Sequence, residues 1–413
     1  MPLLFYSLSV CLYAALIAIV APFNSKAKKW KEGRKGIIRL IKDKMQGNSS
    51  PIAWFHCASL GEFEQARTVL EGFRRIYPDY KIVLTFFSPS GYEVRKNYPL
   101  ADYIFYLPLD TKANASSFID AVKPNIALFV KYEFWHFYIS ELKKRNVPVI
   151  SFSAIFRKEQ LFFKPYGGFY RNILKNLSAI FVQDSNSKEL LNSIGIASEV
   201  AGDTRFDRVK EIAANVKAIP LAEKFKNEKR LLVIGSAWMQ DMEVLMPCLN
   251  KIPDLKIIIA PHEIKDKEIE LMVNGLSSKK SVRYSQAQED TISSYDVLII
   301  DNIGILSSLY QYANYAYIGG AFGKGLHNIL EAATFGMPIL FGTNYQRFKE
   351  AIDLIAGNCA FSIIDTTVFE RIFASILEDE EKRLAAVRNC KEYIASHTGA
   401  TEKILTACRA YLK

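Results

Sequence analysis

No pair of cysteines stands close enough to form a CxxC motif: Cys11, Cys57, Cys248, Cys359, Cys390 and Cys408 are scattered along 413 residues. That spacing argues against a disulfide framework or a cysteine-held zinc site and points to reduced thiols. No repeat of about 20–50 residues and no low-complexity segment is present, which argues against a solenoid. Neither a Walker A loop nor a G-x-G-x-x-G fingerprint after a first strand occurs, so a dinucleotide oxidoreductase is disfavoured. No His/Asp cluster suggests a metal site, and neither a metal nor a cofactor is expected. Acidic residues are in deficit, with 43 against 53 basic ones, giving a net charge of +10.

What the chain does have is a charge-free beginning. Residues 1–25 carry no charged side chain, and Leu3–Phe23 form an almost unbroken apolar run. As a helix that run would be about 31 Å long, close to one hydrocarbon core. A basic segment would precede it in a secretory signal, and none does. The basic residues come after it: Lys26, Lys28, Lys29, Lys31, Arg34, Lys35, Arg39, Lys42 and Lys44, against Glu32 and Asp43. This order suits an anionic membrane surface better than nucleic acid and places the rest of the chain on the cytoplasmic side. A helix lying in the interface or docked on a domain is the other reading, since Ser7, Ser9 and Tyr13 dilute the run.

Beyond residue 50, short β-rich runs alternate with amphipathic stretches, the pattern of parallel α/β sheets. Strands are expected at Ile52–Cys57, Lys81–Phe87, Tyr103–Leu107, Ile126–Tyr132, Val147–Phe152 and Ala179–Gln183. After a charged pause they resume at Arg230–Gly235, Lys256–Ala260, Val297–Asp301, Tyr315–Gly319, Pro338–Phe341 and Phe361–Ile364. The expected organisation is an anchor over 1–25, a Rossmann-like domain over 26–208, a linker over 209–228, a second Rossmann-like domain over 229–395 and a C-terminal helix over 396–413. Two such halves suggest a GT-B arrangement with a cleft between them. Ligands of open parallel sheets bind beyond the carboxyl ends of the strands, so motifs that follow strands carry the functional signal.

Six motifs follow strands or close the first half. In Trp54–Glu62 (WFHCASLGE), Glu62 is either a general base on a sugar hydroxyl or the acidic partner of a Ser59-x-x-Glu62 capping box. In Lys131–Trp135 (KYEFW), Glu133 is a second carboxylate or a helix-start residue. In Gly202–Asp207 (GDTRFD), Arg205 is an anion ligand or part of a surface turn. The loop Gly319–Glu331 carries Gly319, Gly320, Gly323 and Gly325, which let backbone amides approach a phosphate, and Asn328-x-x-Glu331 is another capping-box pattern. Ala260–Glu263 (APHE) and Asp301–Leu306 (DNIGIL) lie where a nucleotide would be gripped.

In order and spacing, these segments resemble the bacterial 3-deoxy-D-manno-octulosonic acid (Kdo) transferases of lipopolysaccharide synthesis. The resemblance covers nearly the whole chain through HCASLGE, GDTRFD, APHE, DNIG and GGAF…HNILEAA. It implies a GT-B fold and inverting, metal-independent transfer of Kdo from CMP-Kdo to the lipid A precursor (lipid IVA) at the inner, cytoplasmic membrane. It implies that Glu62 is the base and that Glu133 and Arg205 support the transition state. CMP contacts are implied at Pro261, His262, Ile303, Gly304, Ile305 and Asn328, Ile329, Leu330 and Glu331. The chain departs from the family in three places. The arginine of the APRH-type motif is missing from APHE, Ile305 replaces a glutamate, and Arg205 stands where the family has lysine. Phe162, Phe163, Tyr166 and Tyr170 either contact acyl chains or pack in the core. The alternatives are a GT-B transferase with another nucleotide sugar, such as a UDP-hexose, and a lipid-binding relative with decayed catalytic sites.

Overall fold

The computed structural model describes residues 2–412. The chain divides into two compact units: one runs to Arg208 and is rejoined from Thr398 onward, the other is Val209–His397.

In the first unit seven strands form one parallel sheet: β1 Ile52–Cys57, β2 Lys81–Phe86, β3 Tyr103–Tyr106, β4 Ile126–Val130, β5 Val149–Ala154, β6 Ala179–Val182 and β7 Glu199–Val200, in the order β3-β2-β1-β4-β5-β6-β7. The central strands are apolar on both faces because helices cover both. Along β1 the side chains alternate between two cores: Ala53, Phe55 and Cys57 join one, and Ile52 and Trp54 join the other. His56 therefore follows Trp54 onto the second face, and it is fully buried. The amphipathic helix Ile37–Met45 closes that face with Ile37, Ile41 and Met45.

The second unit repeats the plan with β8 Arg230–Ala237, β9 Leu255–Pro261, β10 Ser281–Arg283, β11 Val297–Ile299, β12 Tyr315–Ile318, β13 Ile339–Phe341 and β14 Ala360–Ser362, ordered β10-β11-β9-β8-β12-β13-β14 and again parallel. In each sheet the chain reverses its direction of growth at one place, between β1 and β4 and between β8 and β12. A crevice for a ligand opens at such a switch point, beyond the strand ends.

All twelve expected strands are present. β7 and β10 were not expected: both are two or three residues long, sit toward a sheet edge and lack an apolar run. The C-terminal stretch, where one helix was expected over 396–413, consists of two helices, Glu380–His397 and Ala400–Arg409. Gly399 breaks them with φ +106°, a left-handed conformation that glycine adopts without a Cβ penalty. The break is pinned by the Asp207 carboxylate, which accepts the amides of Gly399 and Thr401 at 2.6 Å each. The last helix then buries Ala400, Ile404, Leu405 and Cys408 in the first unit's core. Gly72 makes room for it, since a Cβ there would lie 2.5 Å from Leu405 Cδ1.

The N-terminal helix is Pro2–Val20, with no residue fully buried. It is long and apolar enough to cross a membrane by length and composition.

Candidate active site

The first cluster forms at the carboxyl ends of β1 and β4, on both sides of the switch point. β1 ends at Cys57, and helix Leu60–Ile76 starts two residues after Ala58. The capping-box reading of Ser59 does not hold, because Ser59 caps the helix in backbone geometry but its hydroxyl makes no cap hydrogen bond. Glu62 turns back and accepts the amides of Ala58 and Ser59, the glutamate half of that box. Its carboxyl is pushed up to about 7, first by burial, then by the negative charge of Glu133, with the Ala58 amide and the Lys131 ammonium opposing the shift. A carboxylate poised near neutrality, partly open to solvent at a strand end, has the properties of a general base.

After β4 the chain makes a turn at Lys131, whose φ of +57° is left-handed and unusual for a side-chain-bearing residue. The turn aims Glu133 back over the sheet. Glu133 is not a helix-start residue, since the next helix begins at His136. Its Oε2 lies 3.0 Å from His56 Nε2 and accepts the Trp135 indole N–H at 2.7 Å. His56 Nδ1 in turn lies 2.8 Å from Thr85 Oγ1, which accepts the Trp54 indole N–H at 2.8 Å. A buried polar chain thus runs from Trp54 through Thr85 and His56 to Glu133 and fixes that carboxylate at the mouth of the sheet. Sequence reasoning named Glu133 but missed His56, Thr85 and Trp135 as its supports. The signal available was the parity of β1, which places His56 on a core face where an unpartnered imidazole would be costly.

GDTRFD is no surface turn: Asp203 and Thr204 are buried, and Thr204 opens the helix Thr204–Ala214. Arg205 reaches back with Nε and Nη2, both 2.8 Å from Asp203 Oδ2, and Asp203 Oδ1 accepts from Gln65 Nε2 at 3.0 Å. Gln65 lies one turn beyond Glu62 on the same helix, so Asp203 ties the two segments together. Among the aromatic residues, Phe162 belongs to the core, whereas Tyr166 is 74% exposed.

The second cluster lies at the switch point of the other sheet. A bulge in β8 at Ser236, with φ +53°, delivers Trp238 to the strand end. Trp238 stacks on His262 with ring centroids 4.3 Å apart, and His262 stacks on His327 at 4.4 Å. Trp238 Nε1–H donates to His327 Nε2 at 3.1 Å, so that nitrogen is an acceptor, and burial together with His262 lowers the His327 pKa. Lys324 Nζ lies 5.2 Å from the centre of the Trp238 ring. Beside this stack a cavity of about 520 Å³ is lined by Ser236, Pro261, His262, Asn302, Ile303 and Gly304. Four of the expected nucleotide contacts, Pro261, His262, Ile303 and Gly304, are therefore brought together; Ile305 does not line the cavity. Ile329 and Leu330 are buried, so any ligand contact by that segment falls to Asn328 and Glu331. Those two bond to each other at 2.9 Å, and Glu331 also accepts from Ser307 at 2.6 Å.

The four glycines of the loop hold their own amides within the domain. Gly319 donates to Gly235 O, Gly320 to Asp241 Oδ2, and Gly323 and Gly325 to Gly320 O. Gly319 and Gly320 serve close packing instead: a Cβ on Gly319 would overlap Ser236 O, and one on Gly320 would lie 2.5 Å from Gly325 O and 2.7 Å from His327 Cδ2.

Residues 29–208 match the family model of the 3-deoxy-D-manno-octulosonic-acid transferase (kdotransferase). A 3-deoxy-D-manno-octulosonic acid transferase of Chlamydophila psittaci is 27% identical over 380 residues, covering 88% of this chain and 86% of that protein. One from Rickettsia bellii is 26% identical over 362 residues, covering 86% and 85%. The chain is therefore similar over most of its length to Kdo transferases. It is a glycosyltransferase of GT-B fold. Among solved structures, Acinetobacter baumannii MurG matches with a TM-score of 0.56 at 11% identity, covering 87% of this chain and 99% of that one. The UDP-GlcNAc 2-epimerase from Neisseria meningitidis gives 0.57 at 14%, covering 85% and 95%. These two likenesses concern the fold alone.

Proposed function

We propose that the chain transfers Kdo from CMP-Kdo to the lipid A precursor lipid IVA at the cytoplasmic face of the inner membrane, with Glu62 as the catalytic base. The observation that carries the base assignment is the Glu62 carboxyl, pushed up to about 7 at the end of β1 beside Glu133. CMP departs as a stable phosphate monoester, so the chemical demand falls on the acceptor hydroxyl. Glu62 takes the hydroxyl proton as the new C–O bond forms at the anomeric carbon and the bond to the phosphate oxygen breaks. General-base help of this kind contributes about 10²–10⁴ in rate. Glu133, held by His56 and Trp135, keeps the Glu62 proton affinity high and sets a negative charge near an oxocarbenium-like centre. Arg205, oriented by Asp203, offers a planar cation to the departing phosphate or the Kdo carboxylate.

The cavity beside β8 and β9 is of a size for a nucleotide, and the His262 ring in its lining, backed by Trp238, offers a stacking surface. With the family arginine missing, Lys324, whose Nζ lies 5.2 Å from the Trp238 ring centre, offers a cation for the CMP phosphate. The N-terminal helix and the basic residues after it hold the first domain at the bilayer that carries the acceptor. The test is to incubate purified protein with CMP-Kdo and a tetra-acylated disaccharide bisphosphate and weigh the products: one or more Kdo additions are expected. CMP should raise the melting temperature and UDP should not; the reverse would favour the UDP-sugar reading and overturn this one.

A further inference from the structure

We propose that the helix Pro2–Val20 lies in the plane of an anionic phospholipid surface, pressed between lipid and the N-terminal domain, and does not cross the bilayer. The proposal rests on the membrane-bound reading above and deepens it. Both halves of the helix are docked. Near its start, Tyr6 Oη donates to Asp110 Oδ2 at 2.5 Å and accepts the His136 amide at 3.2 Å, while its ring packs on Phe169 at 5.6 Å. Asp110 is itself buried and accepts the amides of Phe137 and Tyr138. Seven residues on, Tyr13 meets Trp30 at 5.7 Å and Phe87 at 5.9 Å. Between and beyond them Val10, Ala14 and Ile17 are half-buried, and with Tyr6 they recur every three or four residues along one side. The other side is exposed: Leu4, Phe5, Leu8, Leu12, Leu16 and Ile19 lie between 52% and 67% open.

This docking conflicts with an upright span. Tyr6 lies 14 residues before Val20, about 21 Å along the helix axis. With Val20 at the headgroups next to the basic cluster, Tyr6 would sit about two-thirds of the way through a hydrocarbon core of roughly 30 Å. Asp110 and the helix start at His136 are bonded to it and would be dragged to that depth, where ionisable and unsatisfied polar groups are strongly disfavoured. Laid flat, the same helix meets protein on one side and acyl chains on the other, which explains why it is apolar all round. The exposed Lys26, Lys28, Lys29, Lys31, Lys35 and Arg39 follow at once and match anionic headgroups.

The full chain offers a direct test, because Cys11 is exposed and the other five cysteines are buried. In a Cys11→Ser background, single cysteines at Leu4, Leu12 and Ile19 would carry an environment-sensitive fluorophore. The labelled proteins are bound to sealed phosphatidylethanolamine–phosphatidylglycerol vesicles with quenchers at shallow and deep acyl positions. An in-plane helix gives the same shallow depth at all three positions. It also leaves a Leu3→Cys variant shielded from an impermeant maleimide trapped inside the vesicles. A probe at Leu12 that is deepest of the three, or labelling of position 3 from the lumen, overturns the proposal. Binding should drop at least tenfold on neutral phosphatidylcholine vesicles. Failure to bind any vesicle would defeat the membrane reading itself, whereas vesicle binding with a spanning depth profile would defeat only the in-plane orientation.

Discussion

Replacing Glu62 with Gln should cut turnover about 10²–10⁴-fold and make the N-terminal domain more stable, with the two effects sharing one cause. The carboxyl is raised from an ordinary 4.5 to about 7, so the fold disfavours its ionised form by about 3 kcal/mol. The sign follows from linkage. A carboxyl whose folded pKa lies above its unfolded value contributes stability below about 4.5 and loses it as pH rises through about 7. The amide is neutral at every pH and can still accept the Ala58 N–H. Wild type and Glu62→Gln should therefore unfold alike near pH 4, while at pH 8.5 the variant should be more stable by about 3 kcal/mol, a rise on the order of 5–10 °C in the melting of that domain. Over the same range wild-type kcat/KM should climb about tenfold from pH 6 to pH 8 as the base loses its proton, and the variant should fall about 10²–10⁴ below the wild-type plateau. Paired thermal melts and pH–rate profiles measure both. A variant with near-normal turnover, or one less stable than wild type at pH 8.5, refutes the reasoning.

Three further substitutions separate the supports from the base. His56→Gln weakens the partner of a buried carboxylate and should cost about 1–3 kcal/mol in urea unfolding, while lowering kcat more than it raises KM. Arg205→Lys keeps the charge but loses the planar fork on Asp203; kcat/KM should fall roughly 10–100-fold, and Arg205→Ala further. Gly320→Ala adds a methyl at φ +93° against Gly325 O and His327. It should destabilise the C-terminal domain by about 1–3 kcal/mol and weaken CMP binding measured by calorimetry.

Much of the fold was legible in the amino-acid order because buried parallel strands leave continuous apolar runs between helical stretches. Each such run, from Ile52–Cys57 to the segment around Ala360–Ser362, proved to be a strand. The two short edge strands were not, because two or three residues carry no period. Glu62, Glu133 and Arg205 could be named from their place after strands. Their partners could not, because Thr85, His56 and Trp135 are separated by dozens of residues and meet only when β1, β2 and β4 align. The same is true of Trp238, His262 and His327, which three different strand ends bring into one stack.

By itself the sequence determined the α/β class, two domains, an apolar N-terminus followed by basic residues, and the motifs that mark the family, since all of these are local patterns of hydropathy, charge and spacing. Only the tertiary structure decided that the Glu62 carboxyl is held near neutrality, that the four glycine amides of the loop are spent internally, and that the first helix is docked on a folded domain through Tyr6 and Tyr13. Those properties depend on burial and on which distant groups come within a few ångströms, and the packing of the sheets alone sets both.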